Sequence, residues 1–296
     1  MLPDLTSLSV DVLRAHTRSD LTPFTKYLVW HAEDDSSRYL FPPYVPFVGK
    51  RHDIARILVY AKAQNLAGSP GHRCHLRHMG DDAVRRLSSR GELTTWRDIP
   101  IRPVEAGVLP AVAGLFLYAE REIQLPSLGE ATDHAAFTNF YKYSLWRAGN
   151  SVENDRKYND LNPDKLPSQR LLADFTTLNL QEYVTREIVA LAPRIVICLK
   201  GYFVSRLRGY LERCHPSCRL VEINDPAWIL RGGGGNLGVG GSWRRQRLSD
   251  RKAVNLIDGY CEQIREEGEA KYRKRTAEIR PYLAHYYLHF RSLLAE

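Results

Sequence analysis

The chain has 296 residues, 44% of them hydrophobic and 26% charged, with a formal net charge of +8. That length suits one large α/β domain with decorations or two small domains, and it can bury a full core. No run approaches about 18 consecutive apolar residues, which excludes a membrane-spanning helix, and five cysteines at irregular spacing argue against a disulfide framework.

Residues 1–44 read as an N-terminal helical extension, followed by an extended, proline-bearing entry, FPPYVPFVGK. The first residues lack a basic start followed by an apolar core, so no secretory signal is expected, and a reducing cytoplasm is the expected location. Four short apolar runs then read as strands: ARILVYA (55–61), FTNFYKY (137–143), RIVICLK (194–200) and RLVEIN (219–224). All are rich in β-branched or aromatic residues, and two are near-continuous apolar runs, as parallel strands covered on both faces should be. Helical stretches separate them at 104–123, 168–191 and 200–214. The alternation predicts βαβ units and a small parallel sheet. Residues 256–296 read as a charged, tyrosine-rich helical extension.

The charge is local as well as global. Between Trp228 and Lys252 stand Arg231, Arg244, Arg245, Arg247, Arg251 and Lys252 against the one acid Asp250, around the run GGGGNLGVGG. A solvated helix face accounts for arginines alone but not for the glycines among them. Backbone without side chains, flanked by arginine and tryptophan, suits close approach to phosphates and bases.

In parallel sheets the loops after the strands' carboxyl ends carry the site. Here they begin AKAQNLAG, the end of TNFYKY, LKG and INDPAWILRGGGG. In that order and spacing they resemble the motifs of the uracil-DNA glycosylase superfamily over roughly residues 45–255. Residues 56–68 resemble the first motif, with Asn65 where several branches hold the attacking water, although Leu66 replaces the usual proline and Ala61 a glycine. Thr138, Asn139, Phe140, Tyr141 and Lys142 match T-N-x-x-K, whose asparagine reads the flipped pyrimidine. Residues 183–207 resemble the helix–P-x-I-V-x-L-G segment. INDPAWILR is similar to the H-P-A-x-L-L-R motif that opens the DNA-intercalating loop, but Asp225 stands where histidine is expected.

The resemblance implies a three-layer α/β/α sandwich with a central four-stranded parallel sheet within residues 45–255, and extra helices at both termini. It implies a monofunctional DNA glycosylase that needs no cofactor and no metal. Asn65 and Asp225 are the catalytic candidates. Asn139, Gln64 and His78 are the base-recognition candidates. The DNA-contact candidates are Lys62, Lys142, Trp228, Leu230, Arg231, Gly233, Arg244, Arg245 and Arg247, with Trp228, Leu230 or Leu237 as wedges.

Glycosidic cleavage passes through an oxocarbenium-like transition state, and the base must leave the stack to be reached. A carboxamide holds water or pairs with a base edge without ionising, which suits Asn65 and Asn139. Ionised Asp225 would repel a departing uracil anion. A carboxyl of raised pKa could protonate a cytosine-type base, and an ionised one could accept from its exocyclic amine. This points to a modified cytosine, foremost glucosylated hydroxymethylcytosine of phage DNA.

Each residue also has a structural reading: Asn65 as a turn residue, Asn139 as a buried amide, Asp225-Pro226 as a turn opener, Trp228 and Leu230 as core. The literal His215-Pro216-Ser217 precedes the last strand and reads as a turn. His72, Cys74, His75 and His78 with Cys214 and Cys218 make a weak zinc pattern. Asp53, Asp81, Asp82 and Asp133 form no recognisable nuclease set. The alternatives are a uracil or mismatch repair glycosylase, or a catalytically inactive DNA-binding member of the fold.

Overall fold

The computed structural model describes residues 15, 18–28, 30–34, 37–40, 46–63, 108–121, 123–143, 145, 166–224, 248–267 and 276–295. A 3₁₀ turn, Thr22–Tyr27, starts with proline in its first turn. It is followed by β1 (Trp30–Asp34) and β2 (Ser37–Leu40), which pair antiparallel. This strand pair stands where the helical extension was expected. Then come β3 (Phe47–Val48), α1 (His52–Ala55) and β4 (Ile57–Ala63). Helices α2 (Val108–Arg121) and α3 (Leu128–Asp133) lead to β5 (Ala135–Tyr141).

Next, α4 (Gln169–Asn179) passes through a π-helical turn (Leu180–Val184) into α5 (Thr185–Leu191). β6 (Ile195–Leu199), α6 (Val204–Cys214) and β7 (Arg219–Ile223) complete the strand-bearing part. The described chain ends in α7 (Arg251–Glu267) and α8 (Thr276–Ala295).

The protein is an α/β protein with a five-stranded, mostly parallel sheet in the order β3-β5-β4-β6-β7. The four strands expected from the sequence are all present and parallel to one another. The fifth, β3, adds to the outer edge of β5 in the antiparallel sense, with Phe47 opposite Phe137. It corrects the expected count of four. Two residues beside prolines carry too little pattern to announce a strand.

Helices cover both faces because the strands are apolar on both. Ile57 and Val59 of β4 join Phe137, Ile197 and Val221 in one core with α2, α7 and α8. Leu58 and Tyr60 join Ala136, Phe140, Val196 and Cys198 in the other core with α4, α5 and α6. Successive residues of a strand face opposite sides, so one strand feeds both cores. Helix α2 is buried from Val108 to Ala119, as an all-round apolar helix must be. It crosses α7 so closely at Gly114 that a Cβ there would lie 2.0 Å from the Tyr260 hydroxyl. That hydroxyl instead donates to the Leu125 carbonyl at 2.6 Å.

The expected boundary between residues 255 and 256 falls inside α7, and α8 shares the core of the sheet. The C-terminal segment is therefore structural, not an appendage. No helix among the described residues is long and apolar enough to cross a membrane.

Candidate functional site

The carboxyl ends of the four parallel strands lie on one edge, and the printed register orders their residues into rows. Tyr60 lies opposite Thr138 on one side and Cys198 on the other, and Cys198 lies opposite Glu222. One step on, Ala61 lies opposite Asn139 and Leu199 opposite Ile223. Continuing that register sets Lys62, Lys200 and Asn224 in the next row, at the carboxyl ends of β4, β6 and β7.

Asn139 is buried at 6% exposure. By strand alternation it shares the side of Phe137, facing the core that holds α2, α7 and α8. Lys62 is half-buried, and its stem runs over Gly201. A Cβ at Gly201 would lie 3.1 Å from Lys62 Cε and 3.0 Å from the Phe203 ring. A side chain at Gly201 would press on that stem and on the Phe203 ring.

The opposite face of the same strand ends holds a buried polar network. Lys142 and Glu187 are both fully buried and form an ion pair. Lys142 Nζ also donates to Thr138 Oγ1 at 2.7 Å, and the Tyr60 hydroxyl donates to Glu187 Oε2 at 2.9 Å. The Lys142 backbone N–H donates to Asn179 Oδ1 at 2.8 Å, and Tyr141 and Thr176 share a hydroxyl contact at 3.0 Å. Burial pushes the Lys142 ammonium down against the support of Glu187, and pushes the Glu187 carboxyl up against Lys142 and Tyr60. Both shifts favour the neutral forms, so the pair is held by its mutual contact and not by solvent.

This corrects the expectation for Lys142. With no exposed surface and its ammonium engaged by Glu187 and Thr138, it is not a phosphate contact but an internal strut. The strut ties the end of β5 to α5, just past the π-helical turn. Such turns are rare and frequent at functional sites. Sequence reasoning missed Glu187 because nothing local marks it as the partner of Lys142.

It also missed α8. Strand β7 is an edge strand whose Ile223 carbonyl serves the Lys200 N–H at 2.8 Å, so its alternate carbonyls face outward. His289 Nε2 donates to the Glu222 carbonyl at 3.1 Å, and the Tyr286 hydroxyl donates to the Asn224 carbonyl at 2.7 Å. Helix α8 thus closes an otherwise open sheet edge and fixes the residue immediately before Asp225.

His215 caps α6 through its N–H to the Leu211 carbonyl at 2.7 Å, and the Cys218 N–H returns to the His215 carbonyl at 2.8 Å. His215-Pro216-Ser217 is a helix-to-strand turn on the amino edge, as expected. Gln64, Asn65, His78, Asp225, Trp228, Leu230, Arg231, Gly233, Leu237, Arg244, Arg245 and Arg247 lie outside the described residues, as do His72, Cys74 and His75.

These features define the class: an α/β protein whose parallel strands deliver an asparagine and two lysines to one sheet edge. No protein-family model matches the chain, and no curated protein matches it.

Proposed function

We propose that this chain is a DNA glycosylase with the three-layer sandwich of the uracil-DNA glycosylase superfamily. It flips a modified pyrimidine from DNA and hydrolyses its N-glycosidic bond, with glucosylated hydroxymethylcytosine as the leading substrate. The observation that carries this reading is the shared edge. The strands that precede the Asn65 and Asp225 loops, and the strand that bears Asn139, end side by side in one parallel sheet. In this reading Asn65 holds the water behind C1′ and Asn139 reads the base edge. Asp225 protonates or accepts from a cytosine-type base. The net charge of +8 and the arginines near the glycine run supply phosphate attraction.

A second reading, a DNA-binding protein without activity, is favoured by Asp225 and Leu66, which depart from the catalytic motifs. Base release from duplexes carrying uracil, a thymine mismatch, cytosine, hydroxymethylcytosine or its glucosylated form tests both. Release confined to a modified cytosine is expected. Asn65→Ala should lower that release by about 100-fold or more, while duplex affinity stays within about threefold. Preference for uracil overturns the substrate, and no release from any lesion leaves the non-catalytic binder.

A further inference from the structure

Two adjacent residues of α8 reach the two ends of residues 225–249. The Tyr286 hydroxyl donates to the Asn224 carbonyl at 2.7 Å, where the chain leaves β7. The Tyr287 hydroxyl donates to Asp250 Oδ2 at 2.6 Å, and Oδ1 of that carboxylate accepts from the Lys252 and Ala253 N–H groups that open α7. Neighbouring residues on a helix point about 100° apart, which lets one turn of α8 serve two elements. The helix is itself held: His289 Nε2 lies 3.1 Å from the Glu222 carbonyl, Arg219 donates to the Leu293 carbonyl, and Tyr118 of α2 stacks on Tyr287 at 5.7 Å between centroids. Both tyrosines are buried, at 1% and 4% exposure, where phenylalanine would fill the same space with no hydroxyl to satisfy. Each hydroxyl goes instead to one stem.

We propose that Tyr286 and Tyr287 are positioning residues for nucleic-acid contact: together they fix where the chain leaves β7 and where it enters α7. The nucleic-acid role rests on the function proposed above. Between the two stems the sequence carries Arg231, Arg244, Arg245 and Arg247 against the single acid Asp225, and seven glycines that bring no side-chain contacts of their own. Composition sets the attraction of this stretch for phosphate, but which phosphates its arginines reach depends on where the stems stand. Holding both stems on one packed helix removes part of the ordering cost from the binding step.

The test uses the full chain and a fluorescent duplex of unmodified DNA, with affinity measured from about 50 to 200 mM salt beside urea unfolding. Tyr286→Phe and Tyr287→Phe each keep the ring and lose its hydrogen bond to a stem. Tyr260→Phe is the matched control, since from the middle of α7 it loses the bond to the Leu125 carbonyl at 2.6 Å. Each stem variant should bind about threefold more weakly and the double variant about tenfold or more, with a salt dependence shallower by about one phosphate contact. Tyr260→Phe should lower the urea midpoint as much and leave affinity and slope at parental values. Where the double variant is unfolded, the two single variants decide. Stem variants that bind with parental affinity and slope overturn the positioning role, as does an equal loss of affinity in Tyr260→Phe. A parental chain that binds no duplex overturns the nucleic-acid reading, and this role with it.

Discussion

Lys142 and Glu187 illustrate how a buried pair is maintained. Taking each charge out of water costs several kcal/mol, and their contact together with Thr138 and Tyr60 offsets it only while both partners are present. Lys142→Met should therefore cost about 3–5 kcal/mol, because it leaves Glu187 buried with the Tyr60 hydroxyl alone. The double variant Lys142→Met/Glu187→Gln should recover more than half of that loss. Urea unfolding of the four members of the cycle measures it, and additive losses would show that the pair is not coupled. At this scale the sequence is a poor guide. Lys142 fits a motif position that suggests phosphate, but its environment depends on Glu187, which only the tertiary fold brings beside it. Asn139 is different: its strand-end position was legible, because alternation and the end of the apolar run set it.

Among the elements, α7 depends on one residue. Asp250 caps its N-terminus, with Oδ1 accepting from the backbone N–H groups of Lys252 at 3.0 Å and Ala253 at 3.1 Å. The same carboxylate accepts from the Tyr287 hydroxyl at 2.6 Å and the Tyr118 hydroxyl at 3.1 Å, joining α7 to α8 and α2. Burial alone would raise its pKa, but the bonds from Tyr287, Ala253, Tyr118 and Lys252 outweigh that and hold it below the usual carboxylate value. The folded state therefore releases the proton more readily than the unfolded one. The resulting stability is present above the unfolded value of about 3.9 and is lost as pH falls through the lower folded value. Asp250→Ala should cost about 1–2 kcal/mol near pH 7. The gap between variant and parent should narrow below about pH 4, as denaturant midpoints across pH would reveal; a gap that stays constant to pH 2 would sink the argument. The parallel strands β4 to β7 were legible as elements because burial on both faces demands continuous apolar runs. The π-helical turn between α4 and α5 was not, since Leu180–Val184 reads like any helical stretch. Nor were β1 and β2, whose pairing is local but carries no two-residue glycine turn signal.

For the whole molecule the question is whether the C-terminal segment is dispensable, as its charged, motif-free sequence suggests. Ile279, Tyr282, Leu283, Tyr286, Tyr287 and Phe290 are all buried at 4% exposure or less. At about 1.5–3 kcal/mol for each buried large apolar side chain, their loss amounts to roughly 9–18 kcal/mol. That is of the same size as the about 5–15 kcal/mol by which a domain is usually stable. The unfolded chain already buries part of that surface, and half of the figure, about 4.5–9 kcal/mol, is still comparable with the whole margin. Deletion would also uncover the outward carbonyls of Glu222 and Asn224 on the edge strand, an open template for association. A chain ending after Glu267 should lose cooperative unfolding and expose apolar surface to a hydrophobic dye, whereas Tyr286→Phe, which removes one hydrogen bond, should cost only about 1 kcal/mol. A truncated chain that still unfolds in one sharp transition would mean that the sheet and α2 suffice alone, and that α8 serves the carboxyl edge without holding the fold.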